Sequence, residues 1–483
     1  MATRGIVAYG AYLPYWRLDR RAIGEALGPT AGVGGTRSVA GFDEDTTSLG
    51  VEAARAALHG LRGSAPDALY FATADPAYLD KTNATAIHAA LDLSPTAMAV
   101  DMLGAVRSSA GALRAALDAR GATLAVLADI RTGLPGGADE REGGDGAAAF
   151  LCGENAREQP VLAEPLGTAS VTGEFLDRWR LPGDAVSRQW EERFGEHAYV
   201  PLGEAALTAA LKQSGVTAPA LSRLIVAGPH GRAVKRVAAG AGVNKAVIGD
   251  DLTAQIGNTG AAHAGLLLAD ALDRARPDEL IAVVSLADGA DATVWRTTSA
   301  VSARPTVGGV AKLIATARGR VPYASYLTWR GFLRREPPRR PDPQPPEAPP
   351  ALRAEAWKFA FTGSRCQACG TRHLPPQRVC VKCQAIDRMS AERLADVPAT
   401  IATFTVDRLA FSPSPPVVAA VIDFDGGGRY QCELTDVDPA AVKIGDRVEM
   451  TFRRLLTAGG VHNYFWKARP VRGDGGKVER SGR

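Results

Sequence analysis

The sequence predicts an α/β protein built as two similar halves, followed by a cysteine-bearing module and a small β-barrel. Three observations carry this. Residues 1–330 alternate short apolar runs with Ala-rich stretches of helical spacing, the pattern of buried strands covered by helices. The pattern repeats: Glu52–Leu58 leads into Ala68–Pro76, and Glu204–Leu211 leads into Ser222–Pro229 at nearly equal spacing. Beyond a Pro-rich stretch, four closely spaced cysteines precede runs that read as short strands with Gly-rich turns.

In chain order, Gly5–Gly10 opens as a strand. Thr46–Leu61 has helical spacing, and Asp43-Glu44-Asp45 stands ahead of it, where negative charge favours a helix start. Ala68–Ala72 reads as a buried strand, Thr82–Leu91 as a helix, Ala97–Asp101 as a strand and Val106–Ala119 as a helix. Thr123–Ala128 and Ala147–Leu151 follow as strands. In both repeats a Gly turn then leads into a small-residue helix and a strand, from Gly104 to Asp129 and from Gly257 to Asp288. A duplicated half predicts a pseudo-dyad with the two helix starts close together at the centre.

The expected segments are 1–165, the first half; 166–330, an insert and the second half; 331–350, a Pro-rich linker; 351–390, the cysteine module; 391–472, the barrel; and 473–483, a disordered tail. Residues 166–200 of the insert carry Trp179, Arg180, Trp190 and Phe194. They suit either a surface subdomain or dimer contact, or a cap over a substrate entrance. The aromatics of Tyr323–Gly331 are expected to dock on a partner surface.

Composition narrows the classes. The 483 residues are 46% hydrophobic and 22% charged, an ordinary globular balance with ample length for a large core. A net charge of +4 argues for neither nucleic acid nor a membrane surface. The N-terminus lacks the apolar core of a secretory signal, and no run approaches a transmembrane length, so a cytoplasmic location is expected.

Cys366-Gln-Ala-Cys369 and Cys380-Val-Lys-Cys383 are two C-x-x-C knuckles. Together they supply four soft ligands for a tetrahedral, coordinatively saturated Zn²⁺, which is structural rather than catalytic. His373 lies between the pairs and is not needed as a ligand. Cys152 ends an apolar run and reads as a core residue.

The stretches Gly5–Pro14, Asp43–Thr47, Asp80–Ile87, Gly146–Leu151 and Gly257–Ala262 resemble the thiolase superfamily, in its hydroxymethylglutaryl-CoA synthase and ketoacyl synthase III branch. The resemblance implies a duplicated thiolase-like fold over 1–330, a CoA thioester as substrate and a homodimer. It also implies a catalytic cysteine at the helix start, a histidine, and an acidic or amide residue. The cysteine position falls on Val106 and the histidine position on Ala227, with His230 three residues on; Asn258 matches the family asparagine. Asp139, Glu140 and Glu142 are the candidate acids near Gly133–Gly136.

His230 suits acid–base work near neutral pH or a loop role bonding backbone. His263 is expected to pack. Ser108 and Ser109 suit an oxyanion contact or simple filling, and Asp288–Asp291 suits an oxyanion turn or a plain strand end. Residues 350–470 look like the acyl-CoA-associated family of a rubredoxin-like zinc ribbon plus an OB-fold, on Phe361–Cys366, Pro375–Arg378, Leu434–Asp438 and Ile444–Val448.

Two functions are therefore expected as alternatives. One is an acyl-CoA enzyme, transferase or lyase, that makes or breaks a carbon–carbon bond without a cysteine acyl-enzyme, with His230 and Asn258 as its catalytic pair. The other is a catalytically silent acyl-CoA-binding or scaffold subunit, with a second thiolase-like or hydratase subunit as partner.

Overall fold

The computed structural model describes residues 3–61, 63, 65–303, 309–339 and 343–472; the expected tail, 473–483, lies outside them. The chain forms two compact units. The first takes Met1–His88, Leu93–Ile314 and Arg320–Leu333; the second takes Arg334–Arg483 with two short pieces, Ala89–Asp92 and Ala315–Gly319.

The first unit is organised on one sheet of nine strands among the described residues. These are β1 (Arg4–Tyr12), β2 (Ala68–Thr73), β3 (Met98–Leu103), β4 (Thr123–Ile130), β5 (Asp145–Glu154), β6 (Ala163–Thr172), β7 (Arg223–Ala227), β8 (Leu280–Ala287) and β9 (Gly289–Thr297). Their order is β7-β8-β9-β6-β1-β5-β4-β2-β3. In the first half β2 pairs parallel with β3 and β4, while β5 runs antiparallel to β4 and β1. The second half repeats this: β7 pairs parallel with β8, and β9 runs antiparallel to β8 and β6.

The repeat seen in the sequence is thus a topological duplication, with one strand reduced. Where the first half has β3, the second has only an isolated parallel bridge between Leu224 and Ile248. The halves join at β1 and β6 through the pair Ile6–Ala163, beside a 2.7 Å bond from the Leu162 N–H to the Ile6 carbonyl.

Five helices matter for the site: α1 (Thr46–Leu58), α2 (Ser108–Asp118), α3 (Glu192–Ser214), α4 (Gly231–Gly240) and α5 (His263–Arg274). The acidic run before α1 has a specific use. Asp45 caps the helix, accepting from the Ser48 N–H at 2.8 Å while the Ser48 hydroxyl accepts from the Asp45 N–H at 2.9 Å. Helix α1 lies flush on β1 because Gly10 has no side chain; a Cβ there would sit 2.3 Å from the Ala57 nitrogen. Helices α2 and α5 are both buried against the sheet, and Ala112, Ala116, Ala262, Leu266 and Phe150 share one core.

Tyr323–Gly331 corrects an expectation. Tyr323–Trp329 is a helix whose Tyr323 and Tyr326 are buried with Leu18, Ile23 and Val39 of the same unit, so these aromatics dock on their own chain rather than on a partner.

In the second unit, the helix Ala348–Arg353 begins inside the stretch expected to be linker. The strands Thr362–Cys366, Arg372–His373 and Met389–Arg393 form a three-stranded sheet that carries the cysteine knuckles. Ala399–Asp407, Val417–Phe424, Arg429–Leu434, Arg447–Ala458 and Val461–Pro470 close a five-stranded barrel. Phe361, Tyr430, Phe465 and Trp466 pack against one another with ring centroids 5.3 to 6.5 Å apart. Among the described residues no helix is long and apolar enough to cross a membrane.

Candidate functional site

The turn between β3 and α2 places Gly104, Ala105 and Val106 at one wall of a cavity of about 80 Å³. Gly104 has φ +112°, a conformation glycine adopts without strain. The helical ladder begins just beyond, with the Ser108 N–H on the Ala105 carbonyl at 3.0 Å and the Ser109 N–H on the Val106 carbonyl at 3.2 Å. The N–H groups of Val106 and Arg107 therefore precede it, at the positive end of the α2 dipole.

Arg107 pins this turn to the second half. Its Nε donates to Asp291 at 2.9 Å and its Nη1 to the Asp288 carbonyl at 2.7 Å. The β8–β9 hairpin can come this close because position 289 is glycine; a Cβ there would lie 2.4 Å from the Arg107 guanidinium. Pro229, Ala287 and Asp288 of the second half complete that side of the cavity.

The opposite side comes from the insert. Arg178, Trp179, Arg180, Ser187 and Tyr199 line the cavity, with Arg131 and Ala74 from the first half. The insert is held down by charge. Arg178 grips both oxygens of Asp139, at 2.9 and 2.5 Å, and Arg131 reaches the same carboxylate at 3.0 Å. Arg180 donates to the Ala74 carbonyl and, at 3.3 Å, to Asp75. The Tyr199 hydroxyl donates to Asp177 at 3.0 Å, and burial together with Asp177 holds the phenol above its usual range. Part of the segment 166–200 thus forms a wall of the cavity, while its first residues, 166–172, belong to β6 of the central sheet.

His230 caps α4. Its Nδ1 accepts from the Ala233 N–H at 3.1 Å, so Nε2 carries the proton and donates to the Glu192 carbonyl at 2.8 Å. Gly195 leaves room for the ring; a Cβ there would lie 2.6 Å from it. Both nitrogens are thus engaged with backbone, next to the lining residue Pro229. Asn258 stands one layer behind the same wall. Its Nδ2 donates to the Gly228 carbonyl at 2.7 Å and its Oδ1 accepts from the Gly260 N–H at 2.9 Å. The Gly257-Asn258 turn meets Gly143-Gly144 of the first half so closely that a Cβ on Gly257 would lie 2.0 Å from the Gly143 carbonyl oxygen.

The three candidate acids separate. Asp139 anchors the two arginines, and they together hold its carboxyl below the usual carboxylate range against the cost of burial. Glu140 is buried and accepts from the Tyr323 hydroxyl and the Gly136 N–H. The backbone carbonyl of Glu142 accepts from the Asn258 N–H. Cys152 is fully buried, and burial pushes its thiol up to about 12. His263 is buried beside Thr259, and burial lowers it to about 4. Ser109 bonds the Val106 carbonyl at 2.9 Å.

One group under the cavity has no counterpart in the sequence reading. Asp129, 1% exposed at the end of β4, accepts from the Ala261 N–H at 3.0 Å, while its other oxygen has no partner among the described residues. Burial pushes its carboxyl up to about 6, against the pull of Arg131. A folded-state value above the unfolded 3.8 means the fold favours the protonated acid. Its contribution is present below the unfolded value and lost as pH rises to about 6. Asp129→Asn is therefore expected to gain on the wild type by about 3 kcal/mol between pH 4 and pH 7, read from urea midpoints at each pH. A pH-independent difference would refute this.

In the second unit, the four sulfurs of Cys366, Cys369, Cys380 and Cys383 lie within 4.8 Å of one another. The first cysteine of each pair is buried and the second exposed. The Cys383 N–H donates to the Cys380 Sγ at 3.4 Å, the hydrogen bonding typical of a thiolate turn. This donor set fits a tetrahedral Zn²⁺. His373 is buried outside the cluster.

Comparison with known proteins agrees with both units. Residues 359–386 match the ChsH2 rubredoxin-like zinc ribbon domain, and 392–453 match the ChsH2 C-terminal OB-fold domain. The hydroxymethylglutaryl-CoA synthase of Methanosphaera stadtmanae is 30% identical over 343 residues, covering 68% of this chain and 97% of that protein. Among solved structures, PksG, an HMG-CoA synthase from Bacillus subtilis, matches with a TM-score of 0.59 at 20% identity, over 68% of this chain and 89% of that one. An HMG-CoA synthase complexed with CoA matches with a TM-score of 0.57 at 18% identity, over 67% and 89%. The first unit thus has the thiolase-like fold, and the chain belongs to the hydroxymethylglutaryl-CoA synthase family, carrying a ChsH2-type zinc ribbon and OB-fold after it.

Proposed function

We propose that the cavity at Val106 receives the thioester end of an acyl-CoA and makes or breaks a carbon–carbon bond beside it without an acyl-enzyme. The observation that carries this is the lining itself. Val106 occupies the helix-start wall, no cysteine lines the cavity, and Arg131, Arg178, Arg180, Tyr199 and Asp288 surround it. Preorganised donors of this kind stabilise an enolate or alkoxide whether or not a covalent intermediate forms. The family relationship supports a CoA ester as ligand, and a relative has been solved with CoA bound.

In this reading the N–H groups of Val106 and Arg107 face the thioester oxygen, and the arginine wall holds the rest of the acyl group. His230 releases the Glu192 carbonyl and, once a proton from solvent sits on Nδ1 in place of the Ala233 bond, gives its Nε2 proton to the oxygen of the acyl group and ends neutral. Asn258 keeps the Gly228–Pro229 wall in place through its two backbone bonds. Asp288, raised by burial, is a second proton carrier on the same side. A homodimer is part of the proposal; β3 ends the sheet with one edge free among the described residues, where a second copy finds hydrogen-bonding partners.

The silent-subunit reading keeps one specific argument: both ring nitrogens of His230 are already bonded. Incubation of the full chain with a panel of β-hydroxyacyl- and acetoacyl-CoA thioesters decides between them. Turnover is expected, and His230→Ala is expected to lower it by about 10²- to 10⁴-fold with binding retained. Tight binding with no turnover in the wild type would establish the silent subunit instead.

A further inference from the structure

Asp177 is a buried carboxylate that the proposed reaction leaves idle. It is 6% exposed and makes no ion pair among the described residues. The one side chain that donates to it among them is Tyr199, through the phenol hydroxyl at 3.0 Å. Asp139, by contrast, holds two arginines. A carboxylate taken out of water on one neutral hydrogen bond is costly, and a group kept at such a cost beside a cavity is a candidate for chemistry.

The pair is also placed for use. Tyr199 lies about two turns into α3 and lines the cavity together with Val106, Pro229 and Asp288. The rings of Phe175 and His230 hold it from two directions, with centroids 5.0 and 5.8 Å away. At Gly195 a Cβ would lie 2.8 Å from the Asp177 Oδ1 and 2.6 Å from the His230 ring, so carboxylate and imidazole meet over the same turn of α3. The acid of the proposed reaction thus has an unused base as its neighbour, with a phenol between that base and the cavity.

We infer that Tyr199 is a further catalytic residue, which relays the hydroxyl proton of a β-hydroxyacyl-CoA to Asp177 while the Cα–Cβ bond breaks. The inference rests on the proposed carbon–carbon reading and supplies the base which that reading lacks. The β-hydroxyl proton passes to the phenol oxygen as the phenol's own proton passes to Asp177. The β-carbon becomes a carbonyl, and the electron pair of the Cα–Cβ bond moves towards the thioester. Protonated His230 gives its Nε2 proton to the thioester oxygen. Asp177 has then gained one proton and His230 has lost one. The products are a carbonyl compound and the enol of a shortened acyl-CoA, with no net oxidation. Tautomerisation of the enol and proton exchange with water restore the starting state. Burial and Asp177 hold the phenol above its usual range, so it parts with its proton only as it receives another.

Cleavage of 3-hydroxyacyl-CoA esters of graded length by the full chain, from 3-hydroxybutyryl-CoA upward, tests this, with the shortened acyl-CoA as readout. On the ester that the wild type cleaves fastest, Tyr199→Phe and Asp177→Asn are each expected to lower kcat by about 10²- to 10⁴-fold. Both are expected to leave KM, and the affinity for unreactive butyryl-CoA, within about twofold. The double variant is expected to lose no more than either single variant, because the two groups move one proton chain. A Tyr199→Phe variant that keeps its kcat overturns the inference and leaves the carbon–carbon reading standing. So does a loss that appears equally in butyryl-CoA affinity, since the phenol would then only shape the wall, and so do losses that multiply in the double variant. A wild type that binds butyryl-CoA and cleaves no 3-hydroxyacyl ester overturns the carbon–carbon reading and the inference with it.

Discussion

Full-length protein is expected to contain one zinc ion per chain, and removing it is expected to unfold the three-stranded cysteine module. The four thiols have no other support of comparable strength. The module offers three short strands, and two of its cysteines are exposed. Structural zinc sites contribute about 10–16 kcal/mol, more than such a small sheet can replace. Elemental analysis of the wild type and of a Cys366→Ser, Cys380→Ser double variant checks the stoichiometry. Amide exchange over residues 362–393 checks the unfolding. Metal retained by the double variant, or an unchanged exchange pattern after chelation, would sink the assignment.

The second large effect is expected in the first unit. Asp145→Ala should destabilise it by about 3–5 kcal/mol, the cost of leaving buried charge uncompensated. Asp145 lies fully buried between Arg37 and Arg330, pairing with Arg37 at 3.3 Å and with Arg330 on its other oxygen. It also accepts from the backbone N–H groups of Ala40 at 2.6 Å and Arg131 at 3.1 Å. The Tyr326 ring lies against both arginines, with guanidinium carbons 5.2 and 5.3 Å from its centroid. Truncating the aspartate strands both cations and frees two amides at once. Asp145→Asn keeps an acceptor and should cost less. Urea midpoints of the two variants give the comparison; a cost for Asp145→Ala below that for Asp145→Asn would show that the carboxylate is not the keystone of this cluster.

The duplicated fold was legible in the sequence because its strands are buried on both faces. Leu124–Ala128 and Ala147–Leu151 are fully buried runs, so they read as unbroken apolar stretches. By contrast β6 was not read as a strand. Its sequence AEPLGTASVT is mixed, and much of it is half-exposed, so neither alternation nor an apolar run marks it. The barrel strand Ala399–Asp407 was missed for a similar reason, since exposed positions dominate its second half.

The site was half legible. Resemblance to the family picked out Val106, which lines the cavity, and Asn258, which lies behind its wall; the four-cysteine cluster was legible from spacing alone. Of the arginine wall, Arg180 stood out with Trp179 in a segment that suited a cap, whereas Arg131 and Arg178 did not, because a charged side chain reads as solvated surface until tertiary structure turns it inward. Arg107 and Asp129 gave no signal at all. What distinguishes them is a partner 184 residues away for Arg107 and a missing partner for Asp129.

The join between the halves has a mechanical consequence. β1 and β6 touch at one register pair, and Gly5 lies so near Ala163 that a Cβ would sit 2.2 Å from its carbonyl oxygen. So narrow a backbone isthmus carries little load. Stiffness across the pseudo-dyad comes instead from α5, whose Gly265 lets the helix bear directly on Leu127, Ala148 and Phe150 of the opposite half. The two walls facing Val106 are thus aligned by oily contacts laid beneath their floor, and a bulkier residue at Gly265 would misalign those walls without touching either of them.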